Sequence, residues 1–531
     1  MGEKKWKKTY IINIDGMRAD YFNATGHQGY LTPTLVDLAG QGVCFSHCMD
    51  ILPAVTATNH TAILTSTNLS THGIYGWFGY FKGLDFAHPR ISHRHGRAQL
   101  QFYQHRHLQG LPTLFDIARS HDSSLITAFI TGKSWVGELL ADKDHDILIH
   151  RGNDSNPDYV TPPEGYILGG ERHEGDSPMP PRFYIPETEV KIARPPKGTI
   201  GLPPKLLTLL GPRLPPSDKW VIDQTIQTIC HHDPDLMYIL LADVDTAGHF
   251  YGSFSDTNIS KLCDFINPDA MKDQLYITDG EIHRFITFLQ KRYDDEGRNR
   301  FETSRIVITS DHGMSSIKKF IHAVDIRKEL TRTGIHIRAN TKWRPFGYND
   351  RGNYEWCFSE GTHTYIFCRE NEQEKIMDVL SSMLNVNKKF IFDKKRQQEN
   401  NMWKGDYEDV VWPMIMVFLE QNYMTPGYGD EPAAIVPNSP HISQLIARVL
   451  DIPTIPGTHG TPSEQHVPLI FISLSEDAIP RGKVIDEQIS VLDIAPTITT
   501  LQWGIIPPTF EGKSLIPVRE KEIIKRRKIT V

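Results

Sequence analysis

At 531 residues the chain exceeds the usual single-domain range, so one large domain carrying insertions, or two domains, is expected. A hydrophobic share of 39% with 23% charged residues is that of an ordinary globular protein and excludes wholesale disorder. The formal net charge of -7 excludes a protein that grips extended nucleic acid or an acidic membrane over a broad face, while leaving room for a local basic pocket.

Thr9–Ile14 is β-rich and apolar and ends abruptly on Asp15-Gly16, so it predicts a strand that delivers a carboxylate at its C-terminal tip. Thr32-Pro33-Thr34 opens a helix with Leu35, Leu38 and Ala39 at helical spacing, closed by Gly40 and Gly42. Val43 to Cys48 reads as a second strand and leads into Pro53-Ala54-Val55-Thr56-Ala57-Thr58-Asn59-His60. Thr56 would stand at the start of a helix, among unpaired N–H groups and at the positive end of the dipole, where a phosphate is best received. A Thr at that place is most often a plain N-cap. Its company elsewhere in the chain makes it the candidate nucleophile.

Trp77, Phe78, Tyr80 and Phe81 follow closely, and core packing is the favoured reading of that cluster over a stacking platform. His93, His95, His105 and His107 have no carboxylate or Cys partner at ligand spacing and read as an exposed polar loop. Leu111-Pro112-Thr113 begins a helix through Ala118, and Leu125–Ile130 is a strand ending on Thr131-Gly132-Lys133-Ser134. The upstream glycine of a phosphate loop is replaced by Thr127, which excludes an ATP cradle, yet Lys133 would point toward substrate if its strand joins the same sheet. Repeated Pro-Pro pairs from 151 to 216 exclude regular helix or central strand there, and an insertion or lid is expected.

Ser217 caps a helix with Trp220, Ile222, Ile226 and Ile229, and Leu236–Leu241 is a strand ending on Ala242-Asp243-Val244-Asp245. Ile282, Phe285, Ile286 and Leu289 recur at i, i+3, i+4 and i+7, the mark of an amphipathic helix. Arg305–Thr309 is the next strand and ends on Ser310-Asp311-His312-Gly313. The region 317–424 mixes strand-like and helix-like pieces without a legible topology and is expected to be an inserted smaller subdomain. Val467–Ile472 is a last strand, preceded by Gly457-Thr458-His459-Gly460, and Ser490–Thr497 opens a final helix. The six cysteines lack metal-type spacing and read as small buried hydrophobes. Without an apolar leader or a run of about 18 apolar residues, no membrane span is expected and the cytoplasm is the simplest address. The basic run Arg519–Lys528 reads as a solvated tail.

Asp15, Asp245 with His249 four positions on, Asp311 with His312, and His459 all stand near strand ends. Singly each has an ordinary structural reading; together they amount to three carboxylates and three imidazoles at one sheet edge. Asp245, His249 and His459 would hold one ion, and Asp15, Asp311 and His312, completed by Thr56, a second. Mixed N/O ligation without thiolate suits two divalent ions, Zn²⁺ best and Mn²⁺ next. Such a pair can clamp the attacking and leaving oxygens of an in-line displacement. A threonine hydroxyl needs a base or a metal to attack, and Asn59, one turn on, would offer its amide to a phosphoryl oxygen.

Asp15-Gly16, the Pro53–His60 stretch, Asp245-Thr246-Ala247-Gly248-His249, Asp311-His312-Gly313-Met314 and Gly457-Thr458-His459-Gly460-Thr461-Pro462 resemble the metal-site motifs of the alkaline phosphatase superfamily. More narrowly they resemble its type I phosphodiesterase/nucleotide pyrophosphatase branch. The segments Val491–Thr497 and Glu511–Leu515 are similar to the C-terminal part of that superfamily. The resemblance implies an α/β fold with a mostly parallel central sheet flanked by helices and interrupted by inserted cap segments. A catalytic core over 1–150, 217–316 and 425–531 is expected, with the lid and the smaller subdomain between. The resemblance also implies two zinc ions, a covalent threonine intermediate, and hydrolysis of a diester or pyrophosphate in a small nucleotide-like substrate.

Where that branch carries an aromatic residue and a proline after the nucleophile, this chain has Ala57 and Thr58, so nucleotide preference is not inherited. Lys133 resembles the strand-end lysine of phosphonoacetate hydrolases and of some phosphate monoesterases, which keeps those activities as alternatives. A phosphomutase and a non-catalytic binding protein are the other readings. Oligomeric state is not readable from the sequence.

Overall fold

The computed structural model describes residues 7–26, 29–76, 80–81, 110–141, 146–150, 167–168, 171–172, 218–254, 270–294, 296–317, 326–335, 338–339, 356–359, 361–403, 410–411, 414–423, 457–475 and 478–516. The longer strands, in chain order, are β1 (Thr9–Ile14), β2 (Val43–Met49), β3 (Thr127–Thr131), β4 (Ile147–His150), β5 (Leu236–Leu241), β6 (Arg305–Thr309), β7 (Trp356–Ser359), β8 (His363–Phe367), β9 (Val386–Asp393), β10 (Ile415–Leu419), β11 (His466–Ile472) and β12 (Lys483–Ser490). The helices used below are α1 (Pro33–Gln41), α2 (Thr56–Thr65), α3 (Leu114–His121), α4 (Ser134–Leu140), α5 (Asp218–His232), α6 (Asp243–Tyr251), α7 (Ala270–Gln290), α8 (Gln373–Ser382) and α9 (Ile494–Trp503).

The main sheet runs β12-β2-β11-β6-β1-β5-β3-β4, extended at the β4 edge by the two-residue strands Ile167–Leu168 and Glu171–Arg172. Neighbouring pairs are parallel from β6 through β1, β5 and β3 to β4, and again between β12 and β2. Strand β11 alone among the eight runs antiparallel to both its neighbours. It therefore begins at the edge where the parallel strands end, and that edge collects the site.

Both faces of the sheet are covered, which is why its strands read as continuous apolar runs rather than as alternating ones. Successive residues part to opposite sides: Ile11, Tyr238, Val307 and Phe471 pack with α2, α3 and α9. Tyr10, Ile12, Ile239, Ile308 and Ile470 pack with α1, α5, α6 and α7. Each fully buried aliphatic or aromatic chain of this kind contributes about 1.5–3 kcal/mol. Ile282, Phe285, Ile286 and Leu289 are the buried stripe of α7, as their spacing predicts.

Within the region without legible topology, a second sheet runs Arg338–Ala339, β7, β8, β10, β9. One of its faces, with Tyr365, Phe392 and Phe418, joins the core that contains α2. The other, with Ile366, Ile391 and Val417, is closed by Ile376 and Leu380 of α8. Cys44, Cys48 and Cys368 are buried as expected, but Cys230 is exposed on the last turn of α5, beside the buried Ile229. Trp77 and Phe78, the histidines from 93 to 107 and the tail 519–528 lie outside the described residues, as does all of 151–216 except the two short edge strands. No described helix is long and apolar enough to cross a membrane.

Candidate metal centre and nucleophile

Register brings the strand ends level. Ile14 of β1 pairs with Leu241 of β5, and Asn13 pairs with Thr309 of β6, so Asp15, Ala242 and Asp311 leave the sheet level with one another. Gly16 has φ +75° and lies so close to the first turn of α6 that a Cβ there would come within 2.7 Å of Asp245 Cα. Asp245 and His249 stand one turn apart on α6 and share a face. His459 arrives from the segment that enters β11 at the same edge.

Asp245 Oδ1 is 3.4 Å from His249 Nε2 and 3.8 Å from His459 Nε2. His312 Nε2 is 3.5 Å from Asp15 Oδ1, 3.2 Å from Asp311 Oδ2 and 3.0 Å from Thr56 Oγ1. The other nitrogen of each imidazole faces a carbonyl: His249 Nδ1 at 2.9 Å from Gly457 O, His459 Nδ1 at 2.9 Å from Ala54 O, and His312 Nδ1 at 2.8 Å from Gly313 O. A carbonyl only accepts, so each Nδ1 carries the hydrogen and each Nε2 presents a lone pair. Those lone pairs face carboxylate oxygens, and acceptors packed against acceptors repel unless a cation lies between them. Asp15 Oδ1, Asp245 Oδ1 and Asp311 Oδ2 are buried and make no hydrogen bond among the described residues.

The donor set therefore fits divalent cations: mixed oxygen and nitrogen, no sulfur, and lone pairs already oriented. Asp245, His249 and His459 form one three-residue group; Asp15 is shared between two others, one with Asp245 and His312 and one with Asp311 and His60.

Electrostatics reflects the same crowding. Burial and the neighbouring Asp245 raise the Asp15 carboxyl against the pull of Lys133, and burial with Asp15 raises that of Asp311. Burial opposes ionisation of Asp245 too, but Lys133, His249 and His459 together hold its carboxyl below the usual range. Burial and the adjacent His312 push His459 well below an ordinary histidine. The Lys133 ammonium lies 2.7 Å from Asp15 Oδ2 and 2.8 Å from Asp245 Oδ2, spanning the two groups. Those carboxylates outweigh its burial and keep it protonated.

Thr56 is not the N-cap of α2. Val55 holds that position, and Thr56 is the first helical residue, with its hydroxyl turned to His312. Asn59 departs from expectation. Its carboxamide accepts from Ile51 N at 2.9 Å and donates to Ile51 O at 3.0 Å and Pro53 O at 3.2 Å, so its polar capacity is spent inside the loop and none faces a substrate. Asn59 points back at the segment that delivers Thr56, held there by Ile51 and Pro53. His60, four residues on, does return to the site, and the reading of the sequence passes over it. The i, i+4 relation to Thr56 is the signal that could have found it.

The model of the family described as type I phosphodiesterase/nucleotide pyrophosphatase matches residues 9–429. The chain belongs to that family. No curated relative matches by sequence. Among solved structures, murine ectonucleotide pyrophosphatase/phosphodiesterase 5 is similar at TM-score 0.54 and 13% identity, over 93% of this chain and 95% of that one. An inactive variant of the murine protein in complex with AMP is similar at TM-score 0.52 and 13% identity, with the same coverage. Phosphonoacetate hydrolase from Sinorhizobium meliloti 1021, in complex with phosphonoacetate, is similar at TM-score 0.54 and 16% identity, over 94% of this chain and 97% of that one. The family member thus has the mostly parallel, helix-flanked fold that its motifs implied, and it is an enzyme of the phosphodiesterase/pyrophosphatase type.

Proposed function

We propose that the chain hydrolyses a phosphate diester or pyrophosphate of a small nucleotide-like molecule through a covalent intermediate on Thr56. The observation that carries this is the convergence of the Thr56 hydroxyl, at the N-terminus of α2, with the His312 Nε2 lone pair, which itself faces the Asp15 and Asp311 carboxylate oxygens. Asp245, His249 and His459 would hold one divalent cation, and Asp15, Asp311, His312 and Thr56 the other. Bound there, two such ions, Zn²⁺ by donor chemistry with Mn²⁺ as the alternative, would acidify the Thr56 hydroxyl and neutralise charge on the phosphoryl oxygens.

The chain's own groups do the rest. Thr56 Oγ1 gives its proton to solvent and bonds to phosphorus, while the ester oxygen leaves on the opposite side and takes up a proton from solvent. A water then makes the same attack and restores the threonine with its proton. The first backbone N–H groups of α2 have no partner within the helix and meet the anionic group. His312 Nδ1, fixed on the Gly313 carbonyl, keeps Nε2 directed at Thr56.

A second reading rests on Lys133. An ammonium between Asp15 and Asp245 stands where it could also meet the extra charge of a monoester or the carboxylate of a phosphonocarboxylate. The phosphonoacetate complex of the structural neighbour supports keeping that reading. Rates on bis-p-nitrophenyl phosphate, p-nitrophenyl phosphate and phosphonoacetate separate the two, and a diester rate far below the others would overturn the first. Thr56→Ala is expected to lower turnover by a factor of roughly 10³ or more while both ions stay bound. Retained turnover in that variant would overturn the covalent route. A reducing compartment is the proposed address, six cysteines in a chain of 531 residues being too few for a disulfide framework.

A further inference from the structure

His60 is fully buried on α2, and the proposed reaction uses it for nothing. Its Nε2 lies 3.4 Å from Asp311 Oδ2 and 3.7 Å from Asp15 Oδ2, and its Nδ1 lies 2.6 Å from the hydroxyl of Tyr238. By distance alone it could be counted with Asp15 and Asp311 as a third metal ligand. Its anchoring differs from that of the other three imidazoles. They rest Nδ1 on carbonyl oxygens, which demand an N–H there and free Nε2 as a lone pair. His60 rests Nδ1 on a hydroxyl, which can donate.

We infer that His60 is not a ligand but a positioning residue whose Nε2–H, fixed by the Tyr238 hydroxyl, holds the Asp15 and Asp311 carboxylates in place for the second cation. This deepens the di-metal reading above and rests on it. A phenol hydroxyl has one hydrogen, and the His60 Nδ1 lone pair, 2.6 Å away, accepts it. With Nδ1 accepting from Tyr238, the ring's own hydrogen sits on Nε2, on the side of the two carboxylates. Tyr238 is itself held rigid, its ring stacked on Phe129 at 4.9 Å between centroids. An N–H directed between two carboxylates, 3.4 and 3.7 Å from an oxygen of each, offsets part of their mutual repulsion and leaves their lone pairs for the ion. Partners of this kind typically set 10- to 100-fold in metal affinity.

The test is metal binding, measured by calorimetry and elemental analysis on the full chain, together with ¹⁵N NMR of the His60 ring. Wild type is expected to hold two ions and to show the Nε2–H tautomer. Tyr238→Phe, which removes one oxygen and keeps the packing, and His60→Phe should each weaken the more loosely held ion roughly 10- to 100-fold yet still reach two ions at saturation. His60→Gln, which restores an N–H donor, should recover most of that loss. Thermal melts of each variant report whether the fold is kept, and Tyr238→Phe carries the test if His60→Phe does not fold. One ion at saturation in His60→Phe, unchanged affinity in both Phe variants, or an Nδ1–H tautomer would overturn the inference while leaving the di-metal reading intact. A wild-type chain that holds no divalent ion would overturn both.

Discussion

The Asn59 carboxamide is joined to Ile51 through both its oxygen and its nitrogen and to Pro53 through the nitrogen. Truncation to Ala strands these buried backbone groups. Each lost bond is worth about 0.5–1.5 kcal/mol net, and orphaned buried groups add to that, so Asn59→Ala should lose about 2–4 kcal/mol in a urea melt. Because the amide faces the loop and not the substrate, the variant's kcat should fall with KM little changed; a selective rise in KM would return Asn59 to the substrate. Gly16 is a second such position. Its φ of +75°, and the mere 2.7 Å that would separate a Cβ there from Asp245 Cα, leave no room for a side chain. Gly16→Ala should force Asp15 and Asp245 apart and lower bound metal more than tenfold, read by elemental analysis. The difference between what was and was not legible here is one of reach. Asp15, Asp245, Asp311 and His459 announce themselves because a charged residue interrupts an apolar run, whereas the direction of Asn59 and the return of His60 depend on the phase of a helix whose ten residues are all buried and show no polar face.

Strands and helices of the main sheet were legible for a related reason. Strands β1, β3, β5 and β6 are short apolar runs closed by a polar tip, while the four-residue β4 goes unread, and α6 and α7 show their phase in the i, i+4 pair Asp245/His249 and in the buried stripe. The second sheet was not, because β7, β8 and β10 end on no charged residue and β9 breaks alternation at an irregularity between Val386 and Ile391. Nothing in a five-residue apolar run such as β10 names its partners. That sheet nonetheless reaches the site. Just before β8, Thr362 donates its hydroxyl to the His459 carbonyl at 2.8 Å, while Gly460, at φ +128°, fits closely against His363. His459 is thus held from two sides, by Ala54 before the nucleophile and by the inserted sheet. Thr362→Val keeps the volume and removes the hydroxyl. It should destabilise the chain by about 1–2 kcal/mol and weaken binding of the ion assigned to Asp245, His249 and His459 several-fold. Unchanged metal affinity with a lowered melting temperature would confine Thr362 to a structural role.

Across the whole molecule, the site concentrates three buried carboxylates, Asp15, Asp245 and Asp311, against one ammonium among the described residues, that of the half-buried Lys133. Cations that fill it bind the folded chain and not the unfolded one, so chelation should lower the melting temperature by linkage. The pH dependence separates this from a general loss of solubility. In the metal-stripped chain Asp15 and Asp311 titrate above an ordinary aspartate, so above about pH 4 the folded state binds protons that the unfolded state has released. Stability then falls as pH rises, by at most about 1.4 kcal/mol per pH unit for each proton. Asp245, held low, acts oppositely and only below about pH 4, where its contribution is lost on acidification. Asp218 supplies an internal control away from the ions. Burial lifts its pKa to about 7 although Thr278 donates to it at 2.6 Å and Asp243 N at 3.1 Å, so between about pH 4 and 7 it lowers stability with rising pH whether or not metal is bound. Melts from pH 5 to 8.5 should therefore show a steep decline in chelator, a shallower one with metal, and in Asp218→Asn a loss of the component common to both. Parallel curves with and without metal would mean that the carboxylate cluster gains nothing from cations, and the di-metal reading would go with it.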